Sequence, residues 1–247
     1  MIRTGIVLPT FRESPEEALQ VAAEAFAAGV DGVFCYDHLW PMGQPERPAM
    51  APFPILAAIA RTSAASAKEG GGPFIGTLVA RVGLVPIQVL AAEFLALERM
   101  VPGRVIAALG TGDRLSEAEN RAYGIPFPPA SERRADMVTL ARQLRGEHLQ
   151  VWLAGGPKAR DIEAQEAGAA LNLWDAEPAL VAACVDRPDA IEVTWAGPPP
   201  KSEEDLLATV RDVATAGATW VIFGWPIAPG QLVAAALASS LGSERSP

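Results

Sequence analysis

Three short clusters in this 247-residue chain carry side chains suited to acid–base or anion-binding chemistry. The first is Asp37-His38-Leu39-Trp40. His38 is one of only two histidines, and imidazole is the side chain whose ordinary pKa allows proton exchange near neutrality. A lone histidine serves equally as a ligand-facing group or as a hydrogen-bonded core residue, and both readings stay open from the residue alone. The second is Gly110-Thr111-Gly112-Asp113, where two glycines let the backbone turn and approach a ligand closely beside a hydroxyl and a carboxylate. Taken alone, the same four residues also read as a plain turn into a helix. The third is Gly155-Gly156-Pro157-Lys158, continuing to Ala159. Backbone N–H groups opening a helix, with a lysine in its first turn, make an anion site.

The elements that must position these clusters alternate regularly. Apolar runs of strand length stand at Ile2–Leu8, Val30–Cys35, Phe74–Val79, Arg104–Leu109, Gln150–Ala154, Ala169–Leu173, Ala190–Thr194 and Thr219–Phe223. Helical patterns follow each. The first starts at Ser14-Pro15-Glu16-Glu17, with Ser14 as N-cap, and stops at Gly29. Others run Ile55–Lys68, Pro86–Met100, Ser131–Arg145, Ala159–Ala167, Glu177–Val185, Ser202–Ala216 and Gln231–Leu241. Eight strand–helix pairs in one order predict an α/β fold, a (βα)8 TIM barrel forming a single domain over residues 1–247. Active sites of such barrels lie at the C-terminal strand ends. Trp40, Trp174, Trp195 and Trp225, four of the six tryptophans, are expected there as a pocket for a flat ring system. His148, before the fifth strand, falls at the opposite face and reads as structural.

Composition narrows the partners. A net charge of −9 argues against nucleic acid or an anionic membrane, since both need a clustered basic surface. Lysine occurs only at positions 68, 158 and 201. Cys35 and Cys184 form neither a disulfide framework nor a metal-ligand spacing, so a reducing compartment and no metal are expected. The first residues carry neither a signal-peptide pattern nor a membrane span, and a cytoplasmic location is expected.

With Asp37-His38-Leu39-Trp40, Gly76-Thr77-Leu78-Val79, Gly110-Thr111-Gly112-Asp113 and Leu153-Ala154-Gly155-Gly156-Pro157 in this order, the chain resembles the bacterial luciferase-like family of flavin and deazaflavin oxidoreductases. Asp37-His38, Thr111-Gly112-Asp113, Ser116-Glu117 and Gly155-Gly156-Pro157 bring it nearest to the branch dependent on the deazaflavin coenzyme F420, which includes sugar-phosphate dehydrogenases. The resemblance implies that His38 and Asp113 form an acid–base pair beside the hydride-carrying ring carbon. It implies that Asp37, Arg81, Thr111, Gly112 and Ser116 contact the deazaflavin head, and that Gly155, Gly156, Lys158 and Ala159 hold the phosphate of its tail. It also implies a non-proline cis peptide at Leu78-Val79, forming a bulge behind the ring, where the residues alone read as ordinary strand.

Departures from that branch matter for the substrate. Trp174-Asp175-Ala176-Glu177 stands where the branch keeps a hydroxyl and a lysine for a substrate phosphate, and acids there repel a phosphate. Asp113 is one methylene shorter than the branch's glutamate. The connections Arg145 to Gln150 and Gly197 to Ser202 leave little room for pocket-covering insertions. The resulting expectation is an oxidoreductase moving hydride between F420 and a non-phosphorylated apolar or conjugated small molecule. An FMN-dependent monooxygenase or reductase is the alternative, and a non-catalytic flavin-binding protein the second. A homodimer is expected from the apolar helix Pro86–Met100, whose Ile87, Val89, Leu90, Phe94, Leu95 and Leu97 exceed one buried stripe.

Overall fold

In a computed structural model, residues 1–66, 72–155, 160–186 and 191–243 are described, and their strands close into a parallel eight-stranded barrel. The strands are β1 (Arg3–Val7), β2 (Gly32–Cys35), β3 (Phe74–Arg81), β4 (Val105–Gly110), β5 (Gln150–Gly155), β6 (Ala170–Trp174), β7 (Val193–Gly197) and β8 (Trp220–Gly224). They pair in chain order, and β8 returns to β1 from Arg3↔Trp220 to Val7↔Gly224. Around them lie α1 (Glu16–Ala28), α2 (Pro52–Ser66), α3 (Ile87–Met100), the short α4 (Ser116–Ala122), α5 (Ala130–Gly146), α6 (Arg160–Ala167), α7 (Pro178–Val185), α8 (Glu203–Thr215) and α9 (Pro229–Ser243). This is the TIM barrel expected from the alternation of elements. Helices on the outside bury the outer strand faces, which is why the strands read as continuous apolar runs rather than alternating ones.

Two packed layers result. Between strands and helices, residues such as Leu90, Phe94 and Leu97 of α3 are buried, with Phe94 set edge-on to Phe53 of α2 at 5.0 Å. Inside the barrel, Phe34, Trp152 and Trp220 interlock, the two indoles 5.4 Å apart. Such side chains stabilise the fold by roughly 1.5–3 kcal/mol each when fully buried. Gly5 makes room for this plug, because a Cβ there would meet Phe34 and Ile222 at 2.8 Å. These rings fill the middle of the barrel, and a second open space, lined by Arg3, Gln150, Glu192 and Thr219, lies at the N-terminal strand ends.

The structure moves several expected boundaries. β3 runs two residues further, to Arg81, with a register shift between Thr77 and Ala80, and the Leu78-Val79 peptide is cis, as the resemblance implied. The close approach of this bulge to β4 requires Gly110, where a Cβ would lie 2.5 Å from Val79 Cγ2. α1 has Pro15 as its N-cap with no side-chain cap bond, so Ser14 is not the cap, whereas Gly29 closes the helix at φ 88° as expected. β7 starts three residues later than expected, which draws Trp195 into the strand. On α3 the apolar surplus shrinks: Leu90, Phe94 and Leu97 serve the protein's own core, Ile87 and Leu95 pack against it, and Val89 and Met100 are the exposed large residues.

Candidate active site

The C-terminal strand ends surround a cavity of about 450 Å³, within the range of small-molecule sites. His38, Tyr36 and Met42 reach it from β2 and the following loop, and Leu78 and Val79 from the β3 bulge. Asp113 reaches it after β4, Ala154 from β5, Asn172 and Trp174 from β6, and Phe11 from the β1 loop. Rings dominate the mouth. Phe11 stacks on Tyr36 at 5.7 Å and 10°, and Tyr36 meets Trp174 at 6.4 Å. Burial pushes the Tyr36 phenol up to about 12, so its hydroxyl stays a neutral donor.

Behind His38 lies a buried charge network. The His38 Nδ1 is 2.8 Å from Glu119 Oε1, and the Leu39 N–H donates to Glu119 Oε2 at 2.8 Å. Arg81 Nη2 donates to the same Oε2 at 3.0 Å. Glu119 is 1% exposed, and its carboxyl sits below the usual carboxylate range. Burial opposes ionisation there, but hydrogen bonds from His38 and Leu39 and the Arg81 charge outweigh it. An ionised Glu119 accepts Nδ1–H, leaving Nε2 of a cavity-lining ring as the nitrogen without a protein partner among the described residues. A base at Nε2 when neutral, a donor when charged, His38 is therefore held in the form a proton-transfer group needs.

Arg81 is committed to protein groups. Its guanidinium donates to Asp37 O, Ser116 O and Glu119, while its backbone N–H donates to Asp37 Oδ2 at 2.9 Å. Burial pushes the Asp37 carboxyl up, against the Arg81 N–H and charge. Thus Asp37 and Arg81 stand behind the cavity wall and are not among the cavity-lining residues. Thr111, Gly112 and Ser116 do not line it either. The Thr111 carbonyl takes Arg133 Nε at 2.8 Å, with the Arg133 guanidinium 3.8 Å over the Phe127 ring. Gly112 turns at φ 67°.

His38 and Asp113 both line the cavity, yet they are not paired. Asp113 Oδ1 accepts from Leu115 N at 2.8 Å, Ser116 N at 3.1 Å and Ser116 Oγ at 3.2 Å, which makes it the turn that opens α4. The carboxylate partner of His38 is Glu119, a residue that sequence reasoning missed. A signal was present: Ser116, Glu119 and Asn120, at i, i+3 and i+4, form a polar stripe that α4 turns inward, and all three are buried. Of the expected pocket tryptophans, Trp174 lines the cavity and the other three do not. Trp195 points outwards because β7 begins later, and its Nε1 donates to Ala176 O at 2.9 Å. Trp225 packs against the helix layer, and Trp40 is buried against Tyr123 at 5.9 Å. Gly155 closes β5; Gly156, Lys158 and Ala159 lie outside the described residues. Among the described residues, no three His, Cys, Asp or Glu side chains are grouped to hold a metal, and no helix is long and apolar enough to cross a membrane.

No protein-family model matches the chain. Among curated proteins it is 33% identical over 135 residues to an F420-dependent glucose-6-phosphate dehydrogenase of Beutenbergia cavernae, covering 55% of this chain and 38% of that one. It is 31% identical over 147 residues to one of Intrasporangium calvum, covering 58% and 42%. The matched segments thus span about two fifths of those relatives' length. Among solved structures, an F420-dependent secondary alcohol dehydrogenase bound to an F420–acetone adduct superposes with TM-score 0.75 at 14% identity, over 95% of this chain and 97% of that one. A monooxygenase of Streptomyces bottropensis superposes at 0.70 and 15% identity, over 99% and 100%. The fold of these two solved enzymes is therefore this chain's fold, and the sequence relatives carry the F420 name.

Proposed function

We propose that this chain is an oxidoreductase that moves hydride between the deazaflavin coenzyme F420 and a neutral, non-phosphorylated small molecule. The observation that carries it is His38 on the wall of a 450 Å³ cavity that Leu78 and Val79 also line, backed by a buried, ionised Glu119. The curated relatives named as F420-dependent dehydrogenases support the coenzyme.

The residues present fit a flat ring. Leu78 and Val79 offer an apolar wall, and Tyr36 and Trp174 add aromatic faces. Gly155, Gly156, Lys158 and Ala159 would hold the coenzyme's phosphate. The bound deazaflavin would supply or accept the hydride. Every such transfer at a polar centre is matched by one proton, which His38 Nε2 takes or returns. Glu119 keeps Nδ1 engaged, which leaves Nε2 to the reacting group. Asp113, on the same cavity, adds a second carboxylate near the reacting group. Among the described residues, those that line the cavity include no lysine or arginine, and Asp175 and Glu177 follow β6, which supports an uncharged substrate over a phosphate ester.

Titrating the purified protein with F420 and with FMN at matched salt tests the reading. F420 is expected to bind more tightly; equal or tighter binding of FMN overturns it in favour of an FMN enzyme. A two-fold dimer through the α3 face belongs to the same reading and rests on the exposed Val89 and Met100. Light scattering that gives a 25.9 kDa particle at micromolar concentration removes it.

A further inference from the structure

At the cavity wall opposite the β3 bulge, β6 places one polar side chain whose hydrogen bonding is incomplete. Along β6 the inward positions are Ala170, Asn172 and Trp174, because alternate residues of a strand share a face. Asn172 is 1% exposed and lines the cavity. Its Nδ2 donates to Thr194 Oγ1 of β7 at 2.9 Å, and Thr194 Oγ1 lies 3.4 Å from Leu171 O. That second contact sets the polarity of the first. A carbonyl only accepts, so the Thr194 hydroxyl proton points to Leu171 O and its oxygen accepts from Asn172. The amide is therefore oriented with Oδ1 away from Thr194, and Oδ1 accepts no hydrogen bond among the described residues. A carbonyl oxygen held this way in a nearly buried site leaves an acceptor that costs about 1–3 kcal/mol if a ligand displaces water from it without replacing the bond.

We propose that Asn172 is a ligand-binding residue of this site, with its Oδ1 accepting a hydrogen bond from an N–H or O–H of an uncharged occupant. The Asn172–Thr194 pair makes the deep wall selective for donors: an ether or a methylated ring nitrogen at that place leaves the amide oxygen unmatched, and a phosphate or carboxylate repels it. The proposal deepens the oxidoreductase reading and depends on it only for which occupant supplies the donor, an N–H of the coenzyme ring or an O–H of the substrate.

The test uses Asn172→Leu, which keeps the side-chain volume and removes the acceptor, with thermal unfolding to verify that the fold is retained. Thr194→Val is the second variant; it keeps Asn172 and frees its amide to rotate. F420 is titrated into each protein, and benzyl alcohol and benzyl methyl ether are titrated as neutral probes by ligand-observed NMR. In the wild type the alcohol is expected to bind at least tenfold more tightly than the ether. If the Leu variant erases that preference, the substrate hydroxyl is the donor. If it raises the F420 dissociation constant tenfold and leaves the preference intact, the coenzyme is the donor. Thr194→Val is expected to give a smaller change in the same direction. A folded Leu variant with unchanged F420 affinity and unchanged alcohol–ether preference overturns the proposal. Wild-type protein that ignores F420 but still discriminates alcohol from ether removes the oxidoreductase reading and leaves the Asn172 site standing.

Discussion

On the side built from β2, β3 and α4, the functional side chains are ionisable and linked: His38 to Glu119 and Glu119 to Arg81, with Arg81 Nε donating to the Asp37 carbonyl and the Asp37 carboxylate accepting the Arg81 N–H. On the wall built from β5 and β6 they are neutral: Ala154, Asn172 and Trp174. Both walls end parallel strands of one barrel, so topology alone does not distinguish them. The difference lies in what stands behind each. α4 inserts a polar stripe after β4 and can hold buried charge, whereas β6 lies between β5 and β7 and continues into a short turn before α7. One wall is thus equipped to move protons, and the other to recognise an uncharged shape.

The largest expected effect comes from removing the group at the tip of the charged wall. His38→Ala should lower turnover by about 10²-fold or more while F420 affinity stays within several fold, as for loss of a general acid or base. Steady-state kinetics beside a coenzyme titration separates the two quantities. Loss of coenzyme binding or of the fold instead would assign His38 to structure.

Glu119→Gln breaks the same wall one residue deeper. It leaves Arg81 with its carbonyl partners but without the carboxylate it is bonded to, and should cost about 2–3 kcal/mol in urea unfolding at neutral pH. The sign of the pH dependence follows from the lowered carboxyl of Glu119. Its stabilisation is fully present above the ordinary carboxylate range and is lost as pH falls through the folded-state value, where the neutral glutamine has nothing to lose. The gap between wild type and Glu119→Gln should therefore close on acidification. Asp37 has the opposite sign, because burial raises it. Its contribution is favourable in acid and fades as pH rises through its folded-state value. Asp37→Asn should accordingly gain relative to the wild type as pH rises from the acid side, and parallel urea series at several pH values compare the two slopes.

The asymmetry of the walls also explains what could be read from the residues alone. The barrel was legible because each strand is a short apolar run and each turn carries Gly, Pro or a helix start. The neutral wall was misjudged at one point. Val193-Thr194-Trp195-Ala196 alternates, with Val193 and Trp195 facing the helices and Ala196 facing inwards, so Trp195 is a strand residue rather than a strand-end residue. The charged wall hid its main carboxylate differently. Glu117 and Arg121 form an exposed i,i+4 pair, while Glu119, two residues from each, lies on the opposite, buried face of α4, and its partners His38 and Arg81 are far away in sequence. Arg81 was visible as a cation at a strand end, but its partners come from positions 37, 116 and 119, separations that no local pattern connects.

The smallest expected effect tests whether the neutral wall is a recognition surface at all. Trp174 is 48% exposed at the mouth, and it meets the Tyr36 ring edge-on. An exposed indole that closes no core contributes little to the fold, so Trp174→Ala should change unfolding free energy by less than about 0.5 kcal/mol. Its exposed face is nevertheless available to a flat ligand, and an aromatic pair is worth about 0.5–1.5 kcal/mol beyond the area it covers. The dissociation constant of a conjugated ligand should therefore rise by roughly 2- to 13-fold, which is that energy expressed as a ratio. Trp174→Phe keeps a ring face and should recover most of the affinity. Benzyl alcohol and cyclohexanol, titrated into all three proteins, separate stacking from simple apolar contact: the aromatic probe should weaken more than the saturated one in the alanine variant. If both weaken equally, Trp174 supplies apolar area only, and the wall loses its claim to selectivity for conjugated molecules.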